Sequence, residues 1–222
     1  MERRGTHRAR PRAVLLDWDN TLVDSFPAIH GAMNDALTAM GHEPWSFDEF
    51  CARIALSMRD IFPRLFGDRV DEAQKVFYAS YATRHLDSIQ PLPGAAALLE
   101  SLSESGFYLG VVSNKNGDYL REEVNHLGWQ GYFGKVVGAM DAAEDKPSPL
   151  VIQLALEGSD IAPGVDVWFV GDNAVDIECA EAAGCLALVI HGAHASGKVE
   201  ALDRAARQFA NCTELADLVR AL

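Results

Sequence analysis

The feature of this sequence that most limits its fold is a repeated alternation of short apolar runs with amphipathic helical patterns. Such alternation is typical of βαβ units, in which helices cover both faces of a parallel sheet. Gly106, Gly128, Gly158 and Gly184 follow four of the helical patterns and mark where those helices end. The sequence therefore predicts a doubly wound, Rossmann-like α/β fold with strands at Ala13–Leu16, Tyr108–Ser113, Lys135–Gly138, Val165–Val170 and Leu186–Ile190.

Residues 26–90 interrupt this alternation, because they contain helical patterns and no strand pattern. The patterns fall at Pro27–Met40, at Phe47–Leu56, at Ile61–Phe66 and from about Asp71 to Leu86. We therefore predict that residues 26–90 form a helical cap inserted after the first strand. Residues 13–25 and 91–222 are then the catalytic core, and residues 1–12 a disordered basic tail.

The charge and cysteine content of the chain limit its partners and its location. Nineteen Lys and Arg residues against 32 Asp and Glu residues give a net charge of −13, which disfavours nucleic acid and anionic membranes. No apolar stretch approaches the roughly 18 residues of a membrane span. Cys51, Cys179, Cys185 and Cys212 show no CxxC spacing, so we expect reduced, buried thiols in a cytoplasmic protein. No pattern indicates an oligomeric state.

Polar clusters stand where four of these elements end or begin. Asp17 and Asp19 follow the first predicted strand, Ser113 ends the second, Lys146 precedes a helix, and Asp172 follows the fourth. Each cluster alone is explained by turn or helix-capping chemistry. Because ligands bind at the carboxyl ends of the strands in an open parallel sheet, the clusters together predict one site.

The residue types in these clusters suit phosphoryl transfer. Asp17, Asp19 and Asp172 would supply hard oxygen ligands for Mg²⁺, and without a cation they would repel one another. Lys146 and Ser113 would contact the phosphoryl group, the former as a charge and the latter as a hydrogen-bond donor. One carboxylate can attack phosphorus while a second moves protons, which predicts an aspartyl-phosphate intermediate.

Four segments, LLDWDNTLVDS, VVSNK, DKPSP and GDNAVDIECA, resemble in this order the four motifs of the haloacid dehalogenase-like superfamily. The resemblance extends from about Ala13 to Ile190. With its helical insert directly after the first motif, the chain is most similar to the phosphatase branch with a small helical cap, which includes the phosphoglycolate phosphatases. The resemblance implies a Mg²⁺-dependent hydrolase that acts on a small phosphorylated metabolite.

The resemblance also implies a role for each matching residue. Asp17 matches the nucleophile and a magnesium ligand, and Asp172 matches another ligand. Asp19 matches the general acid/base, whose backbone carbonyl also binds magnesium. The remaining matches are the phosphate-binding group Ser113, Asn114 and Lys146, and the supporting group Thr21, Asn20 and Asp176. In the cap, His30 and Arg59 are the predicted contacts to the rest of the substrate.

The first motif departs from the family at two positions. Asn20 stands where glycine is usual, and asparagine is among the residues that best tolerate a positive φ, so we expect the loop shape to be kept. Trp18 is larger than the usual residue, and we expect its ring to be buried in the core. Further along, we expect His191 and His194 to lie in a solvated loop without zinc.

Three other functions share part of this pattern. In a haloacid dehalogenase proper, the position of Asp19 is not an acid. A sugar-phosphate mutase would share all four motifs and is the second candidate, but its cap arginine matches Met58, with Arg59 adjacent. A non-enzymatic receiver domain would carry its phosphorylated aspartate on the third strand and would have no helical insert. The pattern therefore favours a phosphatase.

Overall fold

The computed structural model describes residues 10–54, 57–194 and 202–222. Its strands are β1 (Ala13–Leu16), β2 (Val23–Asp24), β3 (Gln90–Pro91), β4 (Tyr108–Asn116), β5 (Lys135–Ala139), β6 (Val167–Gly171), β7 (Leu186–Ile190) and β8 (Arg207–Phe209). Six of them form one sheet in the order β5-β4-β1-β6-β7-β8, and each neighbouring pair is parallel. β1 therefore lies in the middle, at the point where the strand order reverses.

Ten α-helices lie in the described residues: α1 (Phe26–Ala39), α2 (Phe47–Arg53), α3 (Met58–Phe66), α4 (Val70–Ala82), α5 (His85–Ser88), α6 (Ala95–Glu104), α7 (Gly117–His126), α8 (Leu150–Leu156), α9 (Ala174–Ala182) and α10 (Cys212–Arg220). Helices α6, α7 and α10 share one apolar cluster with the sheet, and α8 and α9 share another. Val14 and Leu16 of β1 belong to the first cluster, whereas Ala13 and Leu15 belong to the second. Burial on both faces explains the unbroken apolar run of β1 and confirms the doubly wound α/β fold.

Helices α1–α5 occupy the interval between β2 and β3 and bury an apolar cluster of their own. β2 and β3 pair antiparallel, so the chain leaves and re-enters the core through adjacent strands. The single helix predicted from about Asp71 to Leu86 is instead the pair α4 and α5, separated by a turn at Thr83 and Arg84. α2 ends at Arg53, before Leu56, which lies outside the described residues.

The core contains two elements that were not predicted, β8 and α10. The strand was missed because three residues are too few for its pattern to be recognised. Most of the predicted tail, residues 1–9, lies outside the described residues, but Pro11 is buried and the Arg12 amide donates to Asp166 O at 2.8 Å.

Cys51, Cys179, Cys185 and Cys212 are buried and unbridged, as predicted. Among the described helices, none has the length and apolar character needed to span a bilayer.

Candidate active site

A cavity of about 100 Å³ lies at the carboxyl ends of β1, β4 and β6, beneath the cap helices. The core supplies its polar wall, and the cap supplies most of an apolar one, which Tyr119 of α7 and Val175 of α9 complete. The polar wall comprises Asp17, Asp19, Ser113, Asn114, Lys115, Asn116, Lys146, Asp172, Asn173 and Asp176, and the apolar and aromatic wall comprises Phe26, Ile29, Ile54, Met58, Phe77, Tyr78, Tyr81, Tyr119 and Val175.

The buried ammonium of Lys146 is held between two carboxylates at this end of the sheet. Its Nζ atom donates to Asp17 Oδ1 at 2.6 Å and to Asp176 Oδ1 at 2.7 Å, and only 3% of its side chain is exposed. Burial alone would lower the pKa of Lys146, but the two carboxylates raise it above its ordinary value. Lys146 therefore stays charged and orients one oxygen of Asp17. Thr21 Oγ1 donates to the other oxygen at 3.2 Å.

The carboxylates of Asp17, Asp172 and Asp176 form a cluster that suits a divalent cation, since one oxygen of each lies within 4.8 Å of the others. Burial raises the pKa of Asp17 to about 8; Lys146 opposes the rise, and Asp176 and Asp172 add to it. A divalent cation would relieve this cost, and hard oxygen donors are the ligands that Mg²⁺ prefers. The cluster differs from the predicted ligand set in containing the side chain of Asp176 and lacking that of Asp19.

Within this cluster, both oxygens of Asp176 already have protein donors. Oδ1 accepts from Lys146, and Oδ2 accepts from the backbone amide of Asn173 at 3.0 Å. Asp176 therefore holds Lys146 and the start of α9. Direct metal contact by Asp17 and Asp172 stays a prediction.

The side chain of Asp19 has a different set of partners from Asp17. Its Oδ1 atom lies 2.5 Å from Lys115 Nζ and also accepts a short hydrogen bond from Ser25 Oγ. Two carboxylates one residue apart are thus each paired with a separate lysine. This separation lets one carboxylate act as a nucleophile while the other moves protons.

Ser113 and Asn114 are consecutive residues of β4, but their side chains make different contacts. Ser113 is buried at the cavity wall. The side chain of Asn114 is turned to the backbone of Lys146: its Oδ1 accepts from Lys146 N at 2.9 Å and its Nδ2 donates to Lys146 O at 3.2 Å. Through these two bonds Asn114 positions Lys146; Asn114 also lines the cavity, and its role as a phosphate contact stays a prediction.

The two predicted cap contacts, His30 and Arg59, are not among the residues that line the cavity. His30 lies inside the cap, where its Nε2 atom is 2.8 Å from Trp45 O. Arg59 joins the cap to the core loop before Lys146, with Nη1 donating to Ala143 O at 2.9 Å and Nη2 lying 3.3 Å from Asp145 Oδ1. The structure therefore corrects their predicted role: neither contacts the cavity.

Asn20 adopts a φ of 61°, the positive value expected from its place in the first motif. Its side chain also makes bonds that glycine could not: Nδ2 donates to Asp172 Oδ2 at 2.5 Å and to His194 O at 2.8 Å, while Oδ1 accepts from His194 N at 2.9 Å. Gly192 allows this contact, because a Cβ there would collide with Asn20. Asn20 thus links Asp172 to the loop after β7.

His194 was predicted to be solvated, and the structure corrects this prediction. Its ring stacks on Phe26 with centroids 5.3 Å apart, and its Nε2 atom lies 3.1 Å from Asp24 Oδ1. Phe26 begins α1 and Asp24 ends β2, so His194 packs at the junction of core and cap. His191 is exposed and pairs with Gln208.

Two charged residues at the site were not predicted: Lys115 and Glu123. Lys115 is the last residue of the second motif, VVSNK, and its place in that motif was the available signal. Glu123 lies on the buried stripe of α7 beside Leu120 and Val124, where a carboxylate is unexpected. It is fully buried and accepts from Nε1 of Trp18 at 2.7 Å, which also places the Trp18 ring in the core as predicted.

Known proteins resemble this chain in sequence and in fold. A family model described as haloacid dehalogenase-like hydrolase matches residues 14–190. A phosphoglycolate phosphatase from Aquifex aeolicus is 32% identical over 174 residues, which cover 78% of this chain and 81% of that protein. One from Neisseria meningitidis is 34% identical over 188 residues, covering 80% of this chain and 79% of that protein. A solved structure of a predicted phosphoglycolate phosphatase from Haemophilus somnus, only 20% identical, shows the same fold, with a TM-score of 0.84 over 95% of this chain and 99% of that one.

Proposed function

The chain belongs to the haloacid dehalogenase-like hydrolases, and from this premise we propose that it is a Mg²⁺-dependent phosphatase that hydrolyses a small phosphomonoester through an aspartyl-phosphate on Asp17. The observation that carries the proposal is the separate pairing of Asp17 with Lys146 and of Asp19 with Lys115 in one cavity. Phosphoglycolate is the proposed substrate by analogy with the relatives of that name. The buried, unbridged cysteines fit a cytoplasmic location.

In the first step, Asp17 attacks phosphorus and the bond to the leaving oxygen breaks. Lys146 and Thr21 fix the two oxygens of Asp17, so the attacking group is oriented before the substrate arrives. Ser113 and Lys146 face the transferred group from the cavity wall and offer a hydroxyl and a positive charge to its oxygens. Mg²⁺, held by Asp17, Asp172 and the Asp19 carbonyl, would neutralise the negative charge brought together there.

Asp19 is proposed to move the protons in both steps. It would protonate the leaving alkoxide in the first step and accept a proton from the attacking water in the second. The apolar and aromatic wall, most of which comes from the cap, lies over the same cavity and would keep bulk water from the aspartyl-phosphate. Release of inorganic phosphate then completes the cycle.

The mutase alternative receives no support from the position of the cap residues. Met58 lines the cavity, whereas Arg59 is engaged with Ala143 and Asp145 of the core loop. Among the described residues of the cap, no lysine or arginine reaches the cavity wall, where a mutase would need a cation for the second phosphate of its substrate.

Phosphate release across a panel of small phosphomonoesters, with Mg²⁺ and with EDTA, tests the proposed function. We expect release from phosphoglycolate and p-nitrophenyl phosphate with Mg²⁺, a loss of at least about 100-fold with EDTA, and recovery when Mg²⁺ is restored. The loss follows because the buried carboxylates repel one another and the phosphate without the cation. An isomerised sugar phosphate without free phosphate would instead support a mutase, and full activity in EDTA would contradict the metal assignment.

A further inference from the structure

Glu123 is a buried carboxylate that the proposed reaction leaves without a role, although it has four donors around it. Oε2 accepts from Trp18 Nε1 at 2.7 Å and from Lys115 Nζ at 2.6 Å. Oε1 accepts from the Tyr81 hydroxyl at 2.6 Å and lies 3.2 Å from His85 Nδ1. A buried carboxylate is costly unless its oxygens are satisfied in this way. The arrangement is therefore specific, and it depends on all four partners.

The charge state of Glu123 follows from these partners. Burial would raise its pKa, but the Lys115 ammonium and the hydrogen bonds from His85, Lys115 and Tyr81 lower the pKa of Glu123 to about 2. Burial would likewise lower the pKa of Lys115, but Asp19 and Glu123 raise it well above the ordinary value. Both groups are therefore ionised at neutral pH.

The four donors come from two different parts of the chain. Trp18 follows β1 and Lys115 lies in β4, so both belong to the core. Tyr81 lies in α4 and His85 in α5, so both belong to the predicted cap. The Tyr81 ring also packs beneath the Lys115 ammonium, 5.5 Å from its centroid. The hydrogen bonds of Glu123 therefore depend on the packing of α4 and α5 against the core.

Lys115 connects Glu123 to the cavity, because its ammonium pairs with the carboxylates of both Glu123 and Asp19. Its Nζ atom lies 2.6 Å from Glu123 Oε2 and 2.5 Å from Asp19 Oδ1, and only 5% of its side chain is exposed. With its position fixed by Glu123, the ammonium holds the Asp19 oxygen in place together with the Ser25 hydroxyl. A shift of the ammonium would move Asp19 away from the leaving oxygen.

We propose that Glu123 is a positioning residue for Asp19, acting through Lys115 and dependent on Tyr81 and His85 of the cap. The proposal rests on the proposed role of Asp19 as the proton donor. It implies that the leaving group is protonated efficiently only while α4 and α5 of the cap pack against the core. A proton donor works only within hydrogen-bond reach, so a small displacement is enough to slow that step.

Two conservative variants test the proposal with two substrates that differ in their need for a proton. Tyr81→Phe removes one donor to Glu123 and keeps the ring, and Glu123→Gln removes the charge and keeps the shape. With phosphoglycolate, whose alkoxide must be protonated, we expect the rate of the first step, measured as glycolate formed in a single turnover, to fall at least about 10-fold, within the roughly 10²–10⁴-fold contribution of general acid catalysis. With p-nitrophenyl phosphate, whose phenolate leaves unprotonated, we expect the rate of the p-nitrophenolate burst to change less than about 3-fold, because this first step needs no proton donor. The first step is compared because the second needs Asp19 as a base with either substrate.

Matched controls exist far from the cavity. Tyr108→Phe removes a hydroxyl that donates to Ala155 O at 2.8 Å, and Glu157→Gln removes a carboxylate paired with Lys135. We expect both controls to keep wild-type kcat with both substrates. Circular dichroism and thermal unfolding check that every variant is folded. If Glu123→Gln does not fold, Tyr81→Phe still decides the outcome.

An equal fall of the first-step rate with both substrates would show that Glu123 and Tyr81 are merely structural and would overturn the proposal. A rise of KM for phosphoglycolate with unchanged kcat would also overturn it, because Lys115 would then contact the substrate. Asp19→Asn separates this failure from that of the proposed function. If Asp19→Asn slows the first step selectively with phosphoglycolate and the other two variants do not, only the role of Glu123 is refuted. If Asp19→Asn slows the first step equally with both substrates, the assignment of Asp19 itself fails.

Discussion

Asp17→Asn is expected to lower kcat at least about 10⁴-fold for every phosphomonoester, including p-nitrophenyl phosphate. The amide keeps the shape of the side chain but lacks a nucleophilic oxygen, so no aspartyl-phosphate forms. The loss does not depend on the leaving group, because it removes the attack itself; removal of the nucleophile in other covalent enzymes costs a comparable amount. Single-turnover and steady-state phosphate release measure the effect.

The pH dependence of the stability of the metal-free protein provides an independent check on the Asp17→Asn variant. Because burial raises the pKa of Asp17 from 3.8 to about 8, the folded state holds a proton there that the unfolded state releases. The folded state of the wild type should therefore lose stability as pH rises between these values, and Asp17→Asn should reduce that loss. Wild-type kcat in a folded Asp17→Asn variant would contradict the assignment of the nucleophile.

Lys146→Met is expected to cause the second largest effect, on stability as well as on activity. Methionine has a similar length but cannot pair with Asp17 and Asp176, which remain buried at the same place. Breaking a buried ion pair in this way costs about 3–5 kcal/mol of unfolding free energy. Loss of a preorganised charge beside the transferred group should also lower kcat about 10²–10³-fold.

Urea unfolding and phosphate release, each with and without Mg²⁺, measure both parts of this prediction. Added Mg²⁺ should stabilise Lys146→Met as well as the wild type, because it neutralises the same carboxylates. Lys135→Met is the matched control: Lys135 pairs with the exposed Glu157 at a sheet edge, and its loss should cost less than about 1 kcal/mol. Equal stability of the two lysine variants would refute the buried pairing at Lys146.

The core of the fold was predictable because its signals are local. β1 and β7 begin and end where their apolar runs do, since burial on both faces leaves no polar position inside either strand. β8 was not predictable, because Arg207–Phe209 has two residues at least partly exposed and joins the sheet only through β7. The turn that separates α4 from α5 was also missed, since Thr83 and Arg84 do not break the helical pattern.

The candidate site was predictable to the extent that its residues follow strands. Asp17, Ser113 and Asp172 come together because the carboxyl ends of β1, β4 and β6 meet, which topology alone implies. The partners of each side chain were not predictable, since they depend on contacts between distant segments. The pairing of Lys115 with Glu123, and the turning of Asn114 toward Lys146, arise only when β4, α7 and the loop before α8 are packed together.

The central claim, a covalent intermediate on Asp17 whose hydrolysis needs Asp19, is tested most directly by rapid mixing of Asp19→Asn with p-nitrophenyl phosphate and Mg²⁺. The first step needs no proton donor for this leaving group, whereas the second needs a base. We therefore predict a burst of p-nitrophenolate stoichiometric with the enzyme, then slow turnover, with an acid-stable label on the peptide that contains Asp17. Release of p-nitrophenolate without a burst and without a label on that peptide would contradict the claim.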